Sequence, residues 1–191
     1  MCFVVSAESV EGWESLWSDS IPDTPRPEAR NVLMTPLQVE PIFSGFRFFH
    51  DLNTDGFVDD NELGLVRGDG NPNDFRISLV GSTVFIEPVR AAARVALYST
   101  VPIDDLTSID VAPVSGYSTV PISAEPGFGY VFEMDEGGAF LRFGALRVTH
   151  VGQQFIIFDW SYQTDPGNPQ LSVRGGLPTA GGKGLGVKGH R

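Results

Sequence analysis

The chain has 191 residues, 41% hydrophobic and 19% charged, which suits one folded domain with a buried core and argues against a disordered polymer. Its net charge is −11; residues 175–191 hold three basic and no acidic side chains, so residues 1–174 set ten basic groups against 24 acidic ones, a net of −14. Such a body repels phosphate backbones, so no nucleic-acid partner is expected, and no apolar run is long enough for a membrane span.

The opening "MCFVVSAESV" lacks the basic-then-apolar plan of an intact secretion signal. A single cysteine, Cys2, excludes an internal disulfide and a thiolate-rich zinc centre. Cys2 is read as incidental, with the lipid-bearing cysteine of a processed bacterial lipoprotein as the alternative. Residues 1–30 form a Pro-rich N-terminal segment. Trp13 and Trp17, four apart, either share a face of a short helical turn or anchor the segment on the body. Pro22, Pro25 and Pro27 favour extended chain after them.

From about Val32 the pattern is one of short β-like runs separated by Gly, Pro, Asp and Asn. "FRISLVGSTVFIEPV" predicts a hairpin of Phe75–Val80 and Thr83–Val89 about Gly81-Ser82. "ARVALYST" alternates, with Val95 and Leu97 on one side and Arg94, Ala96 and Tyr98 on the other. "TSIDVAP" places Ile109 and Val111 inward, and "GYVFEM" sets Tyr130, Phe132 and Met134 against Val131 and Glu133. "AFLRFGALRVTHV" predicts a strand kinked or bulged at Gly144. The Phe155–Phe158 run suits a central strand covered on both faces, with Trp160 and Tyr162 sharing the face of Phe158. About eight such runs and no sustained 3.6-residue period predict an all-β domain over 31–174, an antiparallel β-sandwich or barrel. The tail 175–191, with seven glycines, is expected to be flexible.

One stretch breaks this pattern: "HDLNTDGFVDDNEL", residues 50–63. Oxygen-bearing positions recur at Asp51, Asn53, Asp55, Phe57 (through its backbone carbonyl), Asp59 and Glu62, with Gly56 at the sixth place. Calcium, a hard cation, takes six to eight oxygens, and a curled twelve-residue loop supplies them from alternate positions with a bidentate glutamate closing the site. Calcium is therefore the expected cofactor. Residues 51–62 resemble the loop of the EF-hand family, but the flanks do not supply its helices. Pro41 and Gly45 precede the loop, and Gly64, Gly68, Gly70 and Pro72 leave room for about one helical turn after it. "FSGFRFFHDLNTDGFVDDNELG" also resembles the calcium loops that end strands in bacterial surface β-modules. That resemblance implies a structural ion at one end of the sheet rather than a sensor that swings paired helices.

Other features are weaker. Arg67-Gly68-Asp69 is a tripeptide that integrins read, but it and Asn71, Asn73 and Asp74 are expected to form turns. No nucleophile motif or phosphate-cradling glycine loop is present, and Asp104, Asp105, Asp135, Glu136 and Asp159 are expected in or beside turns, so no catalytic residues are assigned. Trp160 and Tyr162 are expected to pack in the sheet, with an aromatic carbohydrate platform as the alternative. Residues 129–163 are similar in pattern to the C-terminal half of HmuY-type bacterial haem-binding lipoproteins. That similarity implies haem held through histidines; the segment offers one, His150, and leaves the second axial ligand unassigned, while His50, next to the acidic loop, is read as orienting it. The resulting expectation is a non-catalytic, calcium-binding β-module of an exported or cell-envelope protein, its protein or glycan partner unknown. An envelope lipoprotein binding haem or carbohydrate is the alternative.

Overall fold

The computed structural model describes residues 2–3, 21–22, 27–48, 62–70, 73–135 and 138–172. Twelve strands are described: β1 (Cys2–Phe3), β2 (Ile21–Pro22), β3 (Glu28–Met34), β4 (Gly45–Arg47), β5 (Gly64–Val66), β6 (Phe75–Val80), β7 (Thr83–Pro88), β8 (Ala93–Leu97), β9 (Ile122–Ser123), β10 (Gly129–Met134), β11 (Arg142–Val151) and β12 (Ile156–Tyr162). β1 and β2 pair with each other, Cys2 opposite Pro22. The rest build two five-stranded sheets, β3-β12-β11-β10-β8 (sheet I) and β5-β4-β6-β7-β9 (sheet II), with every ladder antiparallel. The fold is an all-β sandwich.

Period-two alternation drives the assembly: each strand turns one row of apolar side chains toward the other sheet. From sheet II come Phe46, Phe75, Ile77, Val84 and Ile86, with Phe48 just beyond β4; Tyr130, Phe132, Met134, Leu146, Val148, Phe158, Trp160 and Tyr162 meet them from sheet I. The centre is aromatic. Phe75 stacks on Phe132 with ring centroids 4.8 Å apart, and Phe46 meets Phe158 and Trp160 edge-on at 5.5 and 5.2 Å. Offset and edge-to-face pairs of this kind each add about 0.5–1.5 kcal/mol beyond the area they bury. The hairpin at Gly81-Ser82 forms as expected, Val80 opposite Thr83, with Gly81 at φ 63°, a left-handed conformation that favours glycine. β12 lies inside its sheet, between β3 and β11, and is almost wholly buried, in keeping with the apolar run that leads into it, although Phe155 lies just before the strand.

Three expectations are corrected. Gly144 is regular strand opposite Phe132 and Tyr162, and the irregularity in β11 falls between Val148 and His150. Glycine is needed at 144 because the Phe48 ring lies over it: an added Cβ would sit 2.6 Å from Phe48 Cε1. "TSIDVAP" is not a strand in either sheet. It is a strap with a 3-10 turn at Leu106–Ser108 and one isolated bridge, Val111 to Gln170; Ile109 is buried but Val111 is exposed. The strap covers a second apolar cluster on the outer face of sheet I, where Leu106, Ile109 and Leu171 pack on Val131, Phe143 and Ala145. Finally, the residues after Glu62 form a strand, β5, rather than a helical turn.

Candidate metal centre

β4 and β5 pair Gly45 with Val66, Phe46 with Leu65, and Arg47 with Gly64. The strands on either side of residues 48–63 are therefore neighbours in sheet II. Among the expected calcium ligands, Asp51, Asn53, Asp55, Phe57 and Asp59 lie outside the described residues, as do Gly56 and His50. Glu62, the twelfth position, is described: it is 1% exposed, two residues before β5. Ladder spacing near 4.8 Å fixes the separation of the two loop ends.

Charge gathers beside this hairpin on the side of sheet II away from the core. Phe46 and Phe48 face inward and are fully buried, so the intervening Arg47 points to the other face, yet it is only 8% exposed. Phe46 stands opposite Phe75 in the β4–β6 ladder, which sets Arg47 alongside Asp74. Asp74, 1% exposed, is doubly engaged: Arg90 Nη2 lies 2.6 Å from Oδ1, and the backbone N–H of Phe48 donates to Oδ2 at 2.7 Å. The main chain fixes Asp74 as well. Its N–H donates to the Phe46 carbonyl at 2.9 Å, and its own carbonyl accepts from the Val89 N–H at 3.1 Å. Burial lowers the Arg47 pKa, with Asp74 opposing that shift, Arg90 adding to it and Glu62 opposing it again. The guanidinium keeps its charge at any physiological pH. Among the described residues, Arg47, Asp74, Arg90 and Glu62 thus form one electrostatic group.

The segment after β5 is braced in the same region. Arg67 Nε and Nη2 donate to the two Asp69 oxygens at 3.0 and 2.9 Å, so the Arg-Gly-Asp tripeptide is a self-paired turn with Gly68 buried. Asn73 Nδ2 donates to the Arg67 and Gly70 carbonyls at 2.8 and 3.0 Å, closing that turn as its residue type suggested. Asp74 is not a turn former but the buried anchor described above.

The other candidates are dispersed. His150 is exposed on β11 and its ring stacks on Phe155 at 5.5 Å. Trp160 and Tyr162 are buried in the core, so they offer no platform to a sugar. Asp159 is not in a turn: it lies within β12, buried on the outer face of sheet I. Its Oδ1 accepts from the Asn31 backbone N–H at 2.9 Å, and its Oδ2 lies 3.4 Å from Arg30 and 3.7 Å from Arg147. Asn31 has φ 57°, a left-handed conformation that asparagine tolerates, and it falls where the β12–β3 register shifts. Asp105 caps the strap's 3-10 turn by accepting from the Thr107 N–H at 2.9 Å and is held by Arg30, also at 2.9 Å. These carboxylates are engaged with arginines and backbone donors, an arrangement that ties the strap to the sheet. An open groove of about 360 Å³ on the outer face of sheet II is lined by Gln38, Ser78, Val80, Phe85, Glu87 and Pro121.

The residues that sequence reasoning missed are Arg47 and Arg90. Neither carries a motif, and each is 16 or more positions from Asp74, so only strand register brings them to it. The one available signal was an arginine between two phenylalanines at the loop entrance. Among the described residues no group of three His, Cys, Asp or Glu side chains converges as a metal site, and no helix is long and apolar enough to cross a membrane. No family model, curated protein or solved structure matches this chain.

Proposed function

We propose that residues 51–62 bind one calcium ion and that the ion holds the β4–β5 end of the sandwich in shape, in a non-catalytic module of an exported or cell-envelope protein. Asp51, Asn53, Asp55, Asp59 and Glu62 would supply side-chain oxygens and Phe57 its carbonyl, a set of the hardness and number that calcium takes. The observation that carries the reading is the buried position of Glu62 at the foot of a loop whose ends are paired as neighbouring strands. The loop entrance is equally well fixed, because the Phe48 N–H is tied to Asp74 three residues before the first ligand. Location follows from chemistry: millimolar calcium, available outside cells, would fill a site of modest affinity.

An ion bound only by the folded chain stabilises it by RT ln(1 + [Ca]/Kd), about 0.4–1.4 kcal/mol for a module of weak extracellular-type affinity at millimolar calcium. For a chain of this size that raises the melting temperature by roughly 1–6 °C. Thermal unfolding in chelator, in calcium and in magnesium tests the proposal. Calcium is expected to restore the higher melting temperature and magnesium is not, with Glu62→Gln abolishing the difference. Superimposable melting curves in all three buffers would refute it.

A further inference from the structure

We propose that the groove on the outer face of sheet II binds a neutral saccharide, with the Phe85 ring carrying the sugar's C–H face and Ser78, Glu87 and Gln38 meeting its hydroxyls. The inference shares no residue with the calcium reading and stands without it.

Strand register builds the groove. Arg76, Ser78 and Val80 of β6 alternate with the core residues Phe75, Ile77 and Leu79 and so point outward, and β7 sets Glu87, Phe85 and Thr83 opposite them in that order. Ser123 of β9 stands on the far side of Phe85. Two walls flank this floor. One is Gln38, whose segment is tied to β6 by the Leu37 N–H donating to the Ile77 carbonyl at 2.8 Å; the other is Pro121, just before β9. Ser78 is only 6% exposed although it faces away from the core, and Phe85 beside it is half-buried.

Charge in the groove is cancelled in place. Arg76 Nη2 and Nε donate to the two Glu87 oxygens at 2.6 and 3.0 Å, and the Ser78 hydroxyl donates to the same carboxylate. A carboxylate has about four lone-pair sites, so these three donors leave it room to accept from one ligand hydroxyl. Gln38 Oε1 accepts from the Leu79 N–H at 2.8 Å, which orients the amide and leaves its two N–H donors unclaimed among the described residues. A neutralised pair gives no net attraction for an ion, and the acidic body, net −14 over residues 1–174, repels anions. The volume of about 360 Å³ is at the small end of ligand sites, and the open form leaves one side of any occupant in water. The fitting ligand is therefore small and uncharged, with an apolar face for the ring and hydroxyls elsewhere. A pyranose has both, its axial C–H bonds presenting positive charge to the negative face of the aromatic ring. An extended peptide is a poorer match. β6 lies between β4 and β7, and β7 between β6 and β9, so neither offers the free main-chain edge that strand addition needs.

The test is an NMR titration of the full chain with the methyl glycosides of glucose, galactose and mannose and with N-acetylglucosamine, glucuronate serving as the anionic counterpart. At least one neutral sugar is expected to move the amide signals of residues 78–80, 85–87 and 122–123 selectively, with a dissociation constant on the order of 1 mM. Glucuronate is expected to bind about tenfold more weakly, its carboxylate being repelled by the acidic surface. Phe85→Leu keeps the apolar bulk of the floor and removes the aromatic face, so binding is expected to weaken about five- to tenfold. Gln38→Ala, at an exposed position, is expected to weaken it about threefold. Val114→Ala, a fully exposed site outside the groove, is expected to change nothing. If a melting curve shows that Phe85→Leu does not fold, Gln38→Ala decides alone. No selective shift with any of the four neutral sugars, or unchanged affinity in the deciding variant, overturns the assignment. Glucuronate binding as tightly as the neutral sugars overturns the restriction to uncharged ligands.

Discussion

Asp74→Ala tests whether the loop entrance depends on the buried charge group. Alanine leaves the backbone bonds from Asp74 N–H to Phe46 and from Val89 N–H to the residue 74 carbonyl in place. Among the interactions it removes are the 2.6 Å pair with Arg90 and the 2.7 Å acceptor for the Phe48 N–H. A buried amide left without an acceptor costs about 1–3 kcal/mol. Removing one partner of a buried ion pair costs about 3–5 kcal/mol, because the surviving charge is stranded. Arg90 can turn partly toward water, its side chain being 19% exposed, which lowers the second figure. The expected total is about 3–5 kcal/mol, a large share of the stability of an ordinary domain. Urea unfolding in chelator measures it without any contribution from a bound ion. Asp74→Asn keeps an acceptor for Phe48 and is expected to lose only about half as much. In a double-mutant cycle, Arg90→Met combined with Asp74→Ala is expected to show a coupling above about 1 kcal/mol. A loss below about 1 kcal/mol in Asp74→Ala, or no coupling with Arg90, would refute the view that this group anchors the hairpin.

Gly144→Val forces a side chain into the Phe48 ring, whose Cε1, Cδ1 and Cζ lie 2.6 to 2.8 Å from the position of an added Cβ; a loss of about 1–3 kcal/mol is expected in chemical denaturation. Tyr130→Phe removes a hydroxyl that donates to the Ser123 carbonyl at 2.8 Å and accepts from the Glu125 N–H at 2.9 Å, at an expected cost of about 1–2 kcal/mol. The same phenol, pushed up to about 12 by burial, is expected to ionise late in an ultraviolet alkaline titration. Asp105 is held at about 2, first by the Thr107 backbone N–H and then by Arg30, below its ordinary value of 3.8. A carboxylate depressed on folding contributes stability above pH 3.8 and loses it as pH falls toward 2. Strap signals in an NMR acid titration are therefore expected to shift within that window, and Asp105→Asn is expected to abolish the shift.

Most of the sandwich is legible in the chain because period-two alternation is a local signal. Tyr130, Phe132 and Met134 face inward together, and the hairpin at Gly81-Ser82 announces itself through a left-handed glycine between two apolar runs. What fails is whatever depends on a neighbour remote in sequence. Gly144 reads as a bulge because glycine in a strand often marks one, whereas the actual cause is an aromatic ring 96 positions earlier. Residues 109–111 alternate as a strand would, but they belong to a strap from which Leu106, Ile109 and Ala112 cover the far face of sheet I. Asp159 sits beside Trp160 in a run that looks like a strand end, and its burial becomes intelligible only with Arg30 and Arg147 across two ladders.

The candidate site divides along the same line. Ligand spacing from Asp51 to Glu62 is written in twelve consecutive residues, so the sequence alone proposes an ion and its donors. The affinity of such a loop, however, depends on what surrounds its fixed ends, and here those surroundings come from three separate strands. β4 contributes Arg47 and the adjoining Phe48 amide, the lead-in to β6 contributes Asp74, and the turn after β7 contributes Arg90. The β4–β6 register brings the first two together, and a shift of one residue would turn Arg47 into the aromatic core and Phe46 out of it. The apolar pattern that aligns Phe46 with Phe75 therefore also determines which charges stand beside the closing glutamate. Core packing and the placement of these charges are in that sense set by one alignment, so the loop motif proposes a chemistry for the site while only the folded sheet shows which charges flank its ends.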